Sequence, residues 1–120
     1  MRTVLIIDDN ELNTRLAGTI LSAAGYRVET TTRAEETLTL MQACRPDLVL
    51  MDIHMPGLDG VTALQLLRSD PRWGSTKVIA LSATATLGNR KLLIGVGFDD
   101  YVSKPFTAGE LLERVGAALE

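Results

Sequence analysis

Short apolar runs, each closed by a polar residue, alternate along the chain with longer segments whose apolar residues recur every three to four positions. Val4-Leu5-Ile6-Ile7 ends at Asp8-Asp9, and Leu48-Val49-Leu50-Met51 ends at Asp52. Val78-Ile79-Ala80-Leu81 ends at Ser82, and Tyr101-Val102-Ser103 ends at Lys104. Continuous apolar runs bounded by turn signals predict strands of a parallel sheet buried on both faces. Strands are predicted at 3–7, 27–31, 47–52, 76–82 and 99–103, the second being polar enough for a sheet edge. Between them the pattern predicts a helix at 10–24, with Leu12, Leu16 and Ile20 at i, i+4 and i+8 and a stop at Gly25. A second, at 33–44, carries Ala34, Leu38 and Met41 on one face and ends before Pro46. The loop from Ile53 to Gly60 leads into a third, with Val61, Leu64 and Leu67 on one face, broken by Asp70-Pro71. The fourth, at 86–96, contains Gly88 and Gly95 and is predicted to be the least stable. Thr107 is placed to cap the last, at 108–119.

Five such strand–helix units predict an α/β fold, a doubly wound five-stranded parallel sheet with five helices and right-handed crossovers. No internal repeat, low-complexity tract or linker interrupts the chain, so residues 1–120 are expected to form one domain. At 46% hydrophobic content there is material for one core, and no apolar stretch approaches the ~18 residues of a membrane span. Twelve basic against fifteen acidic residues, with no basic cluster, argue against a nucleic-acid footprint. The N-terminus has no signal-peptide pattern, and a single cysteine, Cys44, fits a reducing compartment, so a cytoplasmic protein is expected. The Met1 start suits a natural N-terminus, whereas the stop at Leu119-Glu120 leaves the C-terminus open.

Ligands of open parallel sheets bind outside the carboxyl ends of the strands. Asp8, Asp9, Asp52, Ser82 and Lys104 all stand at such ends, which describes one site. A group of carboxylates suits a hard cation such as Mg²⁺, and a lysine with a hydroxyl suits an oxyanion. The chemistry implied is phosphoryl handling. Each residue also has a simpler reading. Asp8 or Asp9 can cap the next helix, as can Asn10; Ser82 can cap the helix after it; and Lys104 can be a solvated surface lysine. Asp52 is the hardest to dismiss, because a carboxylate ending the most apolar strand is costly unless paired, metal-bound or facing a cleft. The Lys104-Pro105 bond can be cis and turn the lysine back across the strand ends.

The motifs Ile6-Ile7-Asp8-Asp9-Asn10, Leu50-Met51-Asp52-Ile53-His54-Met55-Pro56-Gly57-Leu58-Asp59-Gly60, Ala80-Leu81-Ser82-Ala83 and Asp100-Tyr101-Val102-Ser103-Lys104-Pro105-Phe106 follow in order. In this the chain resembles the receiver domains of bacterial response regulators over essentially its whole length. The resemblance implies a flavodoxin-like receiver fold with strand order 2-1-3-4-5, which brings the ends of the first and third strands together. It also implies Asp52 as phosphoacceptor from a histidine kinase phosphohistidine or phosphotransfer protein. Asp9 would bind Mg²⁺ directly, Asp8 largely through water, and Asp52 and the backbone carbonyl of His54 would complete the ligands. Ser82 would hydrogen-bond the phosphoryl group, Lys104 would neutralise it, and Tyr101 would change exposure as the hydroxyl at 82 moves. A zinc role for the His54 ring is disfavoured by the lack of a partner at metal spacing.

The resulting expectation is a phosphorylation-controlled switch catalysing only its own phosphorylation and dephosphorylation. Alternatives are a receiver cut from a larger hybrid kinase or regulator, and a haloacid-dehalogenase-type phosphatase. The latter wants an Asp-x-Asp pattern and a cap, neither of which fits Asp8-Asp9. Output is expected through the face of helix 86–96, strand 99–103 and helix 108–119, toward a protein target or a second copy, including a phosphorylation-dependent homodimer. Leu87 and Leu92 are expected on that surface, since apolar side chains left outside a core-facing stripe often mark a partner site.

Overall fold

The structure, a computed structural model, describes residues 2–55, 59–83 and 87–120, and of residues 87–90 the backbone only. Its strands are β1 (Thr3–Ile7), β2 (Arg27–Thr31), β3 (Leu48–Asp52), β4 (Lys77–Ser82) and β5 (Asp100–Ser103). Its α-helices are α1 (Glu11–Ala23), α2 (Thr37–Cys44), α3 (Gly60–Ser69), α4 (Leu87–Val96) and α5 (Ala108–Ala118), with a 3₁₀ turn at Ala34–Glu36 opening into α2. The strands pair in parallel in the order β2-β1-β3-β4-β5. The polar strand lies at an edge, as its composition predicts.

Residues of the three central strands alternate between two cores, as the period of two in a strand requires. Leu5, Ile7, Val49, Met51, Val78 and Ala80 pack with Met41, Leu64, Leu67, Leu93 and Phe98, so α2, α3 and α4 cover that face. Val4, Ile6, Leu48, Leu50, Ile79 and Leu81 pack with Ala17, Leu21, Phe106, Leu111 and Val115 beneath α1 and α5. Each fully buried side chain of this size contributes about 1.5–3 kcal/mol relative to exposure.

The caps follow the sequence signals. Asn10 accepts hydrogen bonds from the Leu12 and Asn13 N–H groups, so it, not an aspartate, caps α1. Gly25 takes φ +99° behind that helix. Thr107 caps α5 through the Glu110 N–H. Asp59 caps α3 through the Thr62 N–H.

Two helices turn differently from their leucine pattern. On α1 the buried residues are Thr14, Ala17 and Leu21, while Leu12 is 72% and Leu16 50% exposed. The reason is close packing on β2: a Cβ on Gly18 would lie 3.6 Å from Val28 Cγ1, so the small residues face inward and the leucines face out. On α3 the buried set is Gly60, Ala63, Leu64 and Leu67, and Val61 is only partly buried.

Candidate functional site

The strand order places the carboxyl ends of β1, β3, β4 and β5 along one edge, and their polar residues converge there. Asp8 is fully buried; its Oδ1 accepts from the Asn10 N–H at 2.9 Å. Asp9 is exposed beside it. Because Asn10 takes the capping work, neither aspartate is needed for the helix. Asp52, 3% exposed, accepts the His54 N–H on Oδ1 at 3.1 Å. Lys104 Nζ lies 2.8 Å from Asp8 Oδ2 and 3.2 Å from Asp52 Oδ2. The Lys104-Pro105 peptide is cis.

Burial pushes the Asp52 carboxyl up to about 6, aided by the Asp8 charge and opposed by the His54 N–H and the Lys104 ammonium. Burial alone would depress Lys104, but its pairing with Asp8 and then Asp52 outweighs that and holds it above the usual lysine range. At neutral pH the site therefore presents a largely ionised carboxylate against a cation.

Ligand oxygens of Asp8, Asp9 and Asp52 lie within 4.8 Å of one another. Asp8 Oδ2 is buried, and the cation that meets it is the Lys104 ammonium at 2.8 Å. One lysine charge stands against three clustered carboxylates, which repel one another unless further positive charge lies among them. The residues thus fit a small hard divalent ion.

Ser82 is fully buried at the end of β4, and its carbonyl accepts the Lys104 N–H at 2.7 Å, which ties the ends of β4 and β5 together. Tyr101 is registered with Ala80, two residues before Ser82, so the two side chains leave the same sheet face. Tyr101 is partly buried against the core there. Asp52 is registered with Leu81, so Ser82 ends β4 one residue beyond the level of Asp52 on the neighbouring strand. The His54 side chain is exposed.

Gly60 is a site residue that the strand-end pattern does not reveal. A Cβ there would overlap the Asp52 carbonyl oxygen and come within 2.7 Å of Ile53 Cα. Its absence lets α3 begin directly behind β3, with the Gly60 N–H donating to the Ile53 carbonyl. Gly60→Ala is expected to lower stability by roughly 1–3 kcal/mol, the usual cost of overpacking, and to slow reaction at Asp52. Urea unfolding and a labelling time course check both, and an unperturbed variant would show that the loop can yield.

The sequence matches the family described as response regulator receiver domain over residues 4–116. The chain belongs to this family. Among similar receivers, the polar-differentiation response regulator DivK of Brucella anthropi is 34% identical over 118 residues, 98% of this chain and 96% of DivK. The histidine-protein kinase BarA of Escherichia coli is 37% identical over 103 residues, 86% of this chain. Protein RcaC of Microchaete diplosiphon is 36% identical over 112 residues, 93% of this chain. The chain spans 11% of BarA and 17% of RcaC. The chemotaxis protein CheY4 of Vibrio cholerae superposes with TM-score 0.92 at 27% identity, over 99% of both chains. The receiver domain of Francisella response regulator 1452 gives 0.90 at 31% identity, over 99% of this chain and 97% of that one. Receiver domains of two-component systems interact with histidine kinases or phosphotransfer proteins, and they typically bind Mg²⁺ at an acidic pocket like this one.

Leu92 is 62% exposed and lines a groove with Ile53, His54, Met55, Asp59 and Val61, so it faces α3. Ile94 is 45% exposed, and Leu93 alone of the neighbouring leucines is buried. A helix offers residues two apart to opposite flanks, so burying Leu93 sends Leu92 and Ile94 to either side. The side chain of Leu87 and residues Pro56, Gly57, Leu58, Thr84 and Thr86 lie outside the described residues. No helix among the described residues is long and apolar enough to cross a membrane.

Proposed function

We propose that this receiver, formed by residues 1–120, is a phosphorylation-controlled switch whose phosphoacceptor is Asp52. The observation that carries the reading is the convergence of Lys104 Nζ on Asp8 and Asp52 at 2.8 and 3.2 Å, beside carboxylate oxygens of Asp8, Asp9 and Asp52 that lie within 4.8 Å of one another. In the reaction an Asp52 oxygen attacks phosphorus in a phosphohistidine of a kinase or phosphotransfer protein. The P–O bond forms as the P–N bond breaks, and the imidazole leaves to take up a proton. Lys104 neutralises a phosphoryl oxygen, and the Ser82 hydroxyl donates to another. Asp8, Asp9, Asp52 and the His54 carbonyl would hold Mg²⁺, which when bound supplies positive charge to the transferring group. Most of the rate then comes from positioning and charge stabilisation.

Tyr101 and Ser82, on one sheet face, would report the new charge toward α4, β5 and α5, where Ile94 is exposed. A protein target or a second copy would read the change in the cytoplasm. The exposed Leu12 and Leu16, beginning just beyond Asp9-Asn10, give an approaching phosphodonor protein an apolar surface beside the carboxylates.

Acetyl phosphate with Mg²⁺ is expected to add one hydroxylamine-labile phosphoryl group per chain, and EDTA to prevent it. Leu16→Glu should slow transfer from a protein donor at least tenfold while leaving labelling by acetyl phosphate unchanged. Turnover of an aryl phosphate without a stable phosphoprotein would point to a phosphatase instead.

A further inference from the structure

The helices α3 and α4 are tied together at their C-terminal ends. Arg68, in the last turn of α3, donates from Nη2 to the Gly97 carbonyl at 3.0 Å and to Asp99 Oδ2 at 2.9 Å. From Nη1 it reaches the Gly74 and Thr76 carbonyls. Gly97, at φ +119°, ends α4 there, and a Cβ on it would already touch the Leu64 side chain at 3.5 Å. Between the two helices lies a cavity of about 680 Å³. Its floor is the buried Met55 and Leu93, and its walls are Val61 of α3 and Leu92 and Val96 of α4. His54 and Asp59, both exposed, stand at its rim.

We propose that this groove seats the apolar face of an amphipathic helix from a partner protein, with a Lys or Arg of that helix placed against Asp59. The apolar walls on two neighbouring helices match the i, i+3/i+4, i+7 anchors by which such helices bind. Charge sets the orientation. The Asp59 carboxyl is held below its ordinary range by the Thr62 N–H, so it stays ionised at the α3 end. On the α4 side the exposed residue next to Leu92 is Lys91, which disfavours a basic residue there. A second copy is the poorer occupant. The exposed leucine ridge of α1 brings Glu11 together with Arg15, paired at 2.9 Å, so it offers Asp59 no net positive charge.

The groove also touches the switch. His54, at its rim, donates its N–H to Asp52, so a seated helix bears on the segment that holds the phosphoacceptor. By linkage, helix affinity and phosphorylation then change each other by the same factor. That coupling rests on the receiver reading above, whereas the seat itself does not.

The test is selection of 16-residue helical peptides, with both faces randomised, on the unmodified protein. Recovered peptides are expected to carry an apolar i, i+4, i+7 stripe with a terminal Lys or Arg. They should shift the amide signals of Val61, Leu92 and Val96. Leu92→Lys should weaken them at least tenfold, and Asp59→Asn, which keeps the cap, threefold or more. Binders that map to the Ile94–Tyr101 side or to α1, or that hold Leu92→Lys as tightly as wild type, overturn the proposal. So does a selection that recovers no helix. Self-association abolished by Leu92→Lys would replace the partner helix by a second copy. Acetyl phosphate labelling run in parallel keeps the two readings apart. If wild type takes up no phosphoryl group, the receiver reading falls while the peptide mapping still decides the groove.

Discussion

Asp52→Asn is expected to abolish aspartyl phosphorylation, lowering incorporation from acetyl phosphate or a kinase by at least a thousandfold. The amide keeps the shape of the carboxylate and its bond to the His54 N–H, but it loses the nucleophilic charge and a metal ligand. Mass spectrometry of the labelled protein reads the result, and a phosphoryl group on another aspartate at wild-type yield would move the assignment. The same variant carries a stability signature in metal-free buffer. The folded-state carboxyl sits at about 6 against an ordinary 3.8, because burial penalises its charged form. Between those values the folded protein binds the proton more tightly than the unfolded chain. Wild-type stability therefore falls as pH rises from about 4 to about 6 and stays low above that. Two units at about 1.4 kcal/mol each set the scale at ~3 kcal/mol. Asp52→Asn should lose this slope and be the more stable protein at pH 7, with added Mg²⁺ narrowing the gap. Parallel urea titrations at pH 4 and pH 7 with EDTA check it, and equal slopes for both proteins would show that Asp52 titrates normally.

The parts of this site legible in the sequence are those that a strand end fixes. A run such as Leu48-Val49-Leu50-Met51, fully buried on both faces, cannot drift by one residue without turning Asp52 into the core, so its position was readable. The grouping of Asp8, Asp9 and Asp52 was not readable from the runs alone, because it depends on β1 lying beside β3, a non-local pairing. The order came from family resemblance. Helix faces were the weaker inference. Leucine spacing on α1 describes a stripe, but which stripe goes inward is decided by how closely the helix approaches β2, and that distance selected Ala17 and Gly18. Gly60 was invisible for a similar reason: only the neighbouring Asp52 carbonyl makes a Cβ intolerable there. The Arg68 tie spans 31 residues to Asp99, and a lone arginine in a last helical turn gives no sign of such a partner.

Lys104 joins the folding and functional arguments most directly. It is 16% exposed and faces two carboxylates whose side chains are 0% and 5% exposed. Lys104→Met keeps a long apolar stem of similar volume and removes the charge. Breaking a buried pair in this way costs about 3–5 kcal/mol when the remaining charge has no escape. Here it has one, since Asp52 already titrates near 6 and loses a group that lowers it, so its carboxyl rises further. Partial protonation at pH 7 therefore limits the loss to roughly 1–3 kcal/mol in EDTA. The sign is fixed: a folded-state carboxyl raised higher still makes stability fall with pH over a wider window than in wild type. Mg²⁺ should recover part of the stability by replacing the missing positive charge between Asp8 and Asp52. Phosphorylation should not recover with it. The nucleophile is depleted by protonation and the phosphoryl oxygen loses its cation, so labelling by acetyl phosphate at saturating Mg²⁺ should remain at least tenfold slower. Raising the pH to 9 should restore the fraction lost to protonation and leave the remainder. Wild-type labelling rates at pH 7 in Lys104→Met would show that the lysine holds the two carboxylates together in the resting protein and takes no part in the transfer.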